Sequence, residues 1–298
     1  MSVLSKTVDR LLFHWPSAIR SRSNHRKAKK SYYEYMKQKL GHFMIEVDPG
    51  PVGDKDIVLK TAVLREQDVP RMTNPDFYFA SGYHIMLSWM KTLDRYSFNL
   101  RTAKSIMEFG CGSARLIRHL RCIDGIRLIG TDVNADNIAW CKKNIPGIEF
   151  YNNELLPPLT FAEDNSLDLI FALSVFTHIP LETQHLWIKE LHRILRPGGF
   201  LLADVLGPNH QNKMLNTDDL ARLRKDGSLT LDAEDPKASL STQVIKSWDV
   251  FQTRGEILKA FGSTFHIHDF KPGFLDLLVL QKLPMRSLDS GISQSRDT

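Results

Sequence analysis

From about residue 103 the chain alternates short apolar runs with stretches of helical periodicity. The runs lie at 105–109, 127–133, 147–151, 167–174 and 199–206, and the helical stretches at 114–122, 135–144 and 181–195. Apolar runs this short and unbroken read as strands covered on both faces. Strands alternating with helices need crossover connections, so the pattern predicts an α/β fold with a mostly parallel sheet. The last two runs, 265–270 and 275–281, are separated by little more than Lys271-Pro272-Gly273, which predicts an antiparallel hairpin.

Upstream, residues 81–95 have the spacing of an amphipathic helix. Residues 41–75 are punctuated by Pro49-Gly50-Pro51 and Asn74-Pro75 and read as loop-rich. The stretch 207–250 is polar and irregular, longer than a connection inside a compact domain usually is, and such stretches tend to be binding elements or lids. The pattern therefore divides the chain into a basic N-terminal arm (1–45), lid or linker elements (46–100), a main domain (101–284) with a substrate-side insertion (207–250), and a Ser-rich tail (285–298) expected to be disordered.

Composition narrows the class. Of 298 residues, 42% are hydrophobic and 24% charged, ordinary values for a globular protein. No run approaches the roughly 18 to 20 apolar residues of a membrane span. His14, Trp15 and Pro16 break the apolar run near the start, so no signal peptide is expected. Cys111, Cys122 and Cys141 have neither metal-ligand spacing nor an even count. A cytoplasmic setting with no metal site is the expectation. Residues 1–40 hold ten Lys/Arg against Asp9 and Glu34, a net +8, which leaves the rest of this +5 chain at −3. Such an arm suits an anionic partner, nucleic acid or acidic lipid, or else is a solvated terminus.

The chemistry concentrates at the tips of the first strands. The segment Ser105-Ile-Met-Glu-Phe-Gly-Cys-Gly-Ser-Ala-Arg ends a strand at Glu108, and Gly110 and Gly112 then turn the chain toward a helix. Glycines there permit positive φ and a close approach of ligand to backbone. The next strand ends at Asp132, where a carboxylate can accept hydrogen bonds from the ribose hydroxyls of an adenosine ligand. A dinucleotide fingerprint would want a third glycine at position 115, which is Arg, and Glu108 would repel a phosphate. An amino group and a sulfonium would suit the same carboxylate, so the electrostatics favour S-adenosylmethionine (SAM).

These residues resemble the class I SAM-dependent methyltransferases over about 103–282. The likeness runs through Glu108-Phe-Gly-Cys-Gly-Ser-Ala, with Ala114 where the family usually has Gly. It continues through Asp132, Asn153-Glu154, the Asp164 to Asp168 approach to the fourth strand and Ser174-Val-Phe-Thr-His-Ile-Pro. It ends with Glu190-Leu-His-Arg-Ile-Leu-Arg-Pro-Gly-Gly-Phe-Leu-Leu. The resemblance implies a Rossmann-like seven-stranded class I methyltransferase sheet with an antiparallel final strand, here with a helical N-terminal extension. It also implies SAM as cofactor, held by Glu108, Gly110, Cys111, Gly112, Asp132, Val133, Asn153, Glu154 and Ser174.

Candidate catalytic groups are His178, just past the fourth strand, and Asp204, at the end of the fifth. His178 could take a proton from an acceptor hydroxyl, and it could equally shape the turn before the next helix. Asp132 could likewise serve as a helix N-cap. Cys111 sits in the cofactor loop, where a small residue suffices. Three functional readings stay open. The first is an O-methyltransferase acting on a saccharide or other small polar acceptor, glycan included, with the substrate between 207–250 and the N-terminal elements. The others are an RNA methyltransferase using the basic arm, and a SAM-binding partner subunit without catalysis. Contact of residues 1–40 with a membrane surface is also allowed by their composition.

Overall fold

A computed structural model describes residues 22–41, 44–45, 48–53, 74–232, 248–273 and 275–283. The first half of the arm, part of the insertion (233–247) and the Ser-rich tail lie outside the described residues.

Two helices precede the sheet, α1 (Arg22–Leu40) and α2 (Pro75–Asp94). The strands and helices that follow are β1 (Ser105–Phe109), β2 (Arg127–Asp132), α3 (Ala135–Asn144), β3 (Glu149–Asn152), β4 (Leu167–Ala172), α4 (Leu181–Ile194) and β5 (Leu195–Val205). Then come α5 (Pro208–Met214), α6 (Thr217–Asp226), β6 (Ser228–Asp232), β7 (Trp248–Gln252), α7 (Arg254–Gly262), β8 (His266–Lys271) and β9 (Asp276–Gln281). Seven strands form one sheet in the order β3-β2-β1-β4-β5-β9-β8. The first five are parallel, and β9 runs antiparallel to both β5 and β8. The expected terminal hairpin is therefore present, inserted so that its second strand lies beside β5.

Alternation along the strands builds two cores, because successive side chains leave opposite faces of a sheet. Ile106, Leu128, Leu169, Phe171, Phe200, Leu202 and Val279 face one way and pack against α1, α2 and α3. Met107, Ile129, Ile170, Leu201, Leu278 and Leu280 face the other and meet Trp187 and Leu191 of α4 and Phe261 of α7. The strands carry no polar stripe because both sides are covered.

Two boundaries differ from the sequence pattern. The helix expected at 81–95 begins at Pro75. Asn74, read as loop punctuation, caps it by accepting from the amides of Asp76 (2.9 Å) and Phe77 (3.3 Å), and Pro75 occupies a first-turn position where no amide is needed. The helix expected at 114–122 is instead a six-residue 3₁₀ segment, Ile117–Cys122. Gly112 (φ +53°) and Ala114 (φ +58°) are left-handed, so no α-helical turn can start across them.

The insertion is ordered where described. Helices α5 and α6 and the antiparallel pair β6–β7 enclose a small core of Leu206, Leu215, Leu223, Leu229, Phe251 and Leu275. Strand β7 is stitched to the main body on two sides. The Val250 amide donates to the Thr177 carbonyl (2.9 Å) and the Gln252 amide to that of Leu206 (3.3 Å).

Candidate active site

The strand order reverses between β1 and β4, and parallel α/β sheets bind ligands beyond the carboxyl ends of the strands at such a point. The loop Gly110–Ala114 lies there. Gly110 (φ +71°) and Gly112 use the left-handed region, as the sequence requires of them, and a Cβ on Gly110 would also collide with Val175. Close packing of the loop under the β4 tip is thus a second reason for glycine. Ala114 holds a left-handed conformation that costs an L-residue about 1–2 kcal/mol. Ser174 is left-handed as well, at φ +57°.

A residue invisible as functional in the sequence braces this loop. Arg118 is only 1% exposed. Its Nε donates to the Ala114 carbonyl (2.8 Å), Nη2 to that of Ser113 (2.6 Å) and Nη1 to that of Pro51 (2.6 Å). The guanidinium lies over the ring of Tyr78, 5.2 Å from its centroid, and the Tyr78 hydroxyl itself donates to the Ser113 carbonyl at 3.1 Å. The three-residue turn is held from behind through its carbonyls.

Asp132 ends β2 beside the loop. Its Oδ2 accepts from the Gly112 amide and its Oδ1 from the Asn134 amide, both at 2.8 Å. The N-cap of α3 is Asn134, so Asp132 is not spent on that role. The Asn137 side chain bonds it as well, and an ionised carboxylate offers about four acceptor positions, so capacity remains for a ribose hydroxyl. Val133 follows, half-buried. Asn153 accepts from the Thr131 hydroxyl (2.7 Å) and donates to the Glu154 carbonyl (2.8 Å), so its side chain ties β2 to the loop after β3. Glu154 is exposed. Cys111 is buried with its amide bonded to the Thr131 carbonyl (2.9 Å), and burial pushes its thiol well up, which suits packing and not nucleophilic attack.

Two further carboxyls are enclosed. Glu108 accepts from the Ile117 amide (2.9 Å) and Asp204 from the Ser174 amide (2.6 Å). Burial pushes each up to about 8, against the pull of those amides and of Arg115. Oδ2 of Asp204 is buried without a hydrogen-bond partner among the described residues. Arg115, which the sequence marks only as a missing glycine, is close enough to feel Tyr78, Glu108 and Asp204, and its one hydrogen bond among the described residues is a long 3.4 Å contact to the Ser81 hydroxyl. A guanidinium with donors to spare suits a carboxylate end, and enclosed carboxyls suit an ammonium and a sulfonium. The donor set therefore fits an aminocarboxylate cation such as SAM and does not fit a pyrophosphate.

His178 sits past β4. Its amide donates to the Val175 carbonyl (2.9 Å), and its Nδ1 lies 2.7 Å from the Trp248 carbonyl. A carbonyl only accepts, so Nδ1 carries a proton, and the tautomer this contact selects has its lone pair on Nε2. Asp249 lies behind, with Oδ1 3.9 Å from Nδ1, and burial pushes its carboxyl up to about 6 while His178 pulls the other way. Trp248 and Asp249 belong to β7. Both the turn-shaping and the chemical features of His178 are therefore present together, and the insertion supplies the second.

The topology decides the class. The fold is that of the class I SAM-dependent methyltransferases. Residues 107–203 match the family model described as a methyltransferase domain. A 151-residue stretch is 26% identical to phthiotriol/phenolphthiotriol dimycocerosates methyltransferase 1 of Mycobacterium ulcerans, covering 50% of this chain and 49% of the relative. A 165-residue match is 32% identical to the fatty-acid O-methyltransferase of Mycolicibacterium smegmatis, covering 47% and 57%. The chain thus spans about half the length of the curated relatives it matches. Among solved structures, a chain from the complex of the Haloferax volcanii Trm112 methyltransferase activator with a methyltransferase superposes with a TM-score of 0.50 at 15% identity, covering 78% of this chain and all of that one.

Proposed function

We propose that this methyltransferase-fold protein catalyses SAM-dependent O-methylation of a hydroxyl-bearing acceptor, with His178 as the general base. When bound, SAM supplies a methyl carbon made electrophilic by its sulfonium. The chain's residues then have three tasks: gripping the donor, orienting the acceptor and taking its proton. The glycine loop, Asp132 and Arg115 serve the first, with Glu108 and Asp204 matching the donor's positive charge.

The observation that carries the choice of oxygen is the tautomer of His178. With Nδ1 held by the Trp248 carbonyl, Nε2 is the basic nitrogen, and Asp249 would steady the imidazolium that forms when it accepts a proton. A hydroxyl gains from such a base, whereas an ionised carboxylate or a neutral amine has no proton to lose before attack. The names of the curated relatives speak of fatty acids and of phthiotriol dimycocerosates, which supports an amphiphilic acceptor over the saccharide expected from sequence, and of the two the triol is the hydroxyl-bearing kind that a base would serve.

The test is incubation of the full chain with methyl-labelled SAM and separate pools of extracted lipid, soluble glycan and RNA. Label is expected in base-stable ether products of the lipid pool. His178→Gln should lower that turnover about 10²- to 10⁴-fold while SAM affinity stays within a few-fold. Label confined to RNA or glycan, or full activity in His178→Gln, would overturn the assignment.

A further inference from the structure

We infer that the outer face of α1 is a docking surface for an anionic lipid bilayer. The helix is anchored on one side only. Tyr32, Met36 and Leu40 are at most 1% exposed, and the Tyr32 hydroxyl donates to the His119 carbonyl (2.8 Å). Away from that side the helix presents Arg26, Lys27, Lys30 and Lys37, with Lys29 and Lys39 exposed along the margins of the anchored side and Glu34 the one acid on the helix. Among the described residues the ion pairs on this face are Lys30–Glu34 (3.7 Å) and Lys39–Asp94 (2.7 Å), so Arg26, Lys27, Lys29 and Lys37 have no acidic partner. A solvated face of an ordinary helix mixes both signs. This one does not.

Three features select a bilayer over a nucleic acid. The aromatic rings that could stack on bases already face ammonium groups. Lys29 Nζ is 5.8 Å from the Tyr33 centroid, and Lys39 and Lys91 are each 5.8 Å from that of Tyr35. Five of the six exposed cations are lysines, compact charges that answer a diffuse surface potential and lack the fork that reads base edges. At the C-terminal end of the helix, a cleft of about 440 Å³ mixes apolar Leu40, Met90, Phe98 and Leu100 with Lys39, Arg101 and the acid Asp94, room for an acyl chain beside basic groups.

No described helix is long and apolar enough to cross a membrane, so the contact is peripheral. Helices α1 and α2 lie side by side, with His25 on Asp76 (2.9 Å) at one end and Tyr35 on Asp94 (2.6 Å) at the other. Through Tyr78, α2 also holds the glycine loop. Docking would place the donor site next to the phase where an amphiphilic acceptor resides, and this last step alone rests on the function proposed above.

The experiment is sedimentation of the full chain with vesicles of equal phosphatidylglycerol and phosphatidylcholine, against phosphatidylcholine alone, at low and high salt. Binding to the anionic vesicles is expected, weakened by salt. The triple variant Lys27→Glu/Lys29→Glu/Lys37→Glu should lose at least tenfold in partition while S-adenosylhomocysteine binding by calorimetry is unchanged, which also shows that the variant folds. Equal binding to both vesicle types, no binding, or undiminished binding by the variant would overturn the inference. Tighter binding of the wild type to RNA than to anionic vesicles at the same salt, abolished in the variant, would overturn it in favour of nucleic acid. None of these outcomes depends on the acceptor, so failure here leaves the methyl-transfer assignment standing.

Discussion

At the scale of single residues, the site is defined by carboxyls that burial makes reluctant to ionise. Glu108 and Asp204, both pushed up to about 8, favour their neutral form in the ligand-free chain. Their folded values exceed the unfolded ones, so their relative contribution to stability is complete below the ordinary carboxyl range and is lost as pH rises through about 8. A ligand with a permanent positive charge reverses that loss and its demethylated product does not. The affinity of SAM relative to S-adenosylhomocysteine should therefore rise several-fold between about pH 6 and about pH 9, as calorimetry would show. A flat ratio would mean that neither carboxyl senses the sulfonium. Much of this was legible. Glu108, Gly110, Gly112 and Asp132 stand out because backbone conformation and charge leave few residue types for those places. Arg115 and Arg118 were not, since a buried guanidinium and a surface one are spelled alike, and only three-dimensional packing shows Arg118 enclosed by Tyr78 and three carbonyls.

At the scale of elements, the strand pattern was readable because both sheet faces are covered, and β1, β2 and α3 begin where the periodicity puts them. The misplaced starts have local causes. Asn74-Pro75 serves equally as a loop mark or a helix opening, and only the tertiary fit of Tyr78 and Tyr83, both buried, selects the second. The strand β7 shows the limit more sharply. Trp248 and Asp249 lie some seventy positions from His178, and no spacing rule joins them. The pairing predicts that Asp249→Asn lowers kcat about tenfold with the KM for SAM within twofold. The double variant with His178→Gln should be no slower than His178→Gln alone, because groups acting as a unit are not additive. Additive losses would show Asp249 acting elsewhere.

At the scale of the whole molecule, the cofactor loop is clamped between the sheet and the N-terminal helices, and Arg118 is the bolt. Arg118→Met keeps the length of the side chain but leaves the Ala114 carbonyl without its guanidinium donor and the Ser113 carbonyl with the Tyr78 hydroxyl alone. It should cost about 3 kcal/mol of stability in denaturant unfolding, together with a marked loss of S-adenosylhomocysteine binding. Wild-type stability in that variant would show that water replaces the guanidinium. The mostly parallel sheet and its terminal hairpin were foreseeable from the order of apolar runs, while the seven-stranded arrangement came from the family resemblance. The role of α1 as a second layer over the 3₁₀ segment was not, because its charge count obscures the buried Tyr32 and Met36.

The carbonyl of Trp248 has a consequence for how such an enzyme could change. The strand that carries it belongs to the insertion, which has its own small core, yet it sets the proton inventory of a ring on the main domain. If the insertion faces the acceptor and His178 takes its proton, as proposed above, exchanging the insertion for another would not simply retune acceptor choice. A replacement lacking a carbonyl at that spot would free the imidazole to adopt either tautomer, so new acceptors would arrive with altered proton chemistry, and selectivity and reactivity would be inherited as one unit.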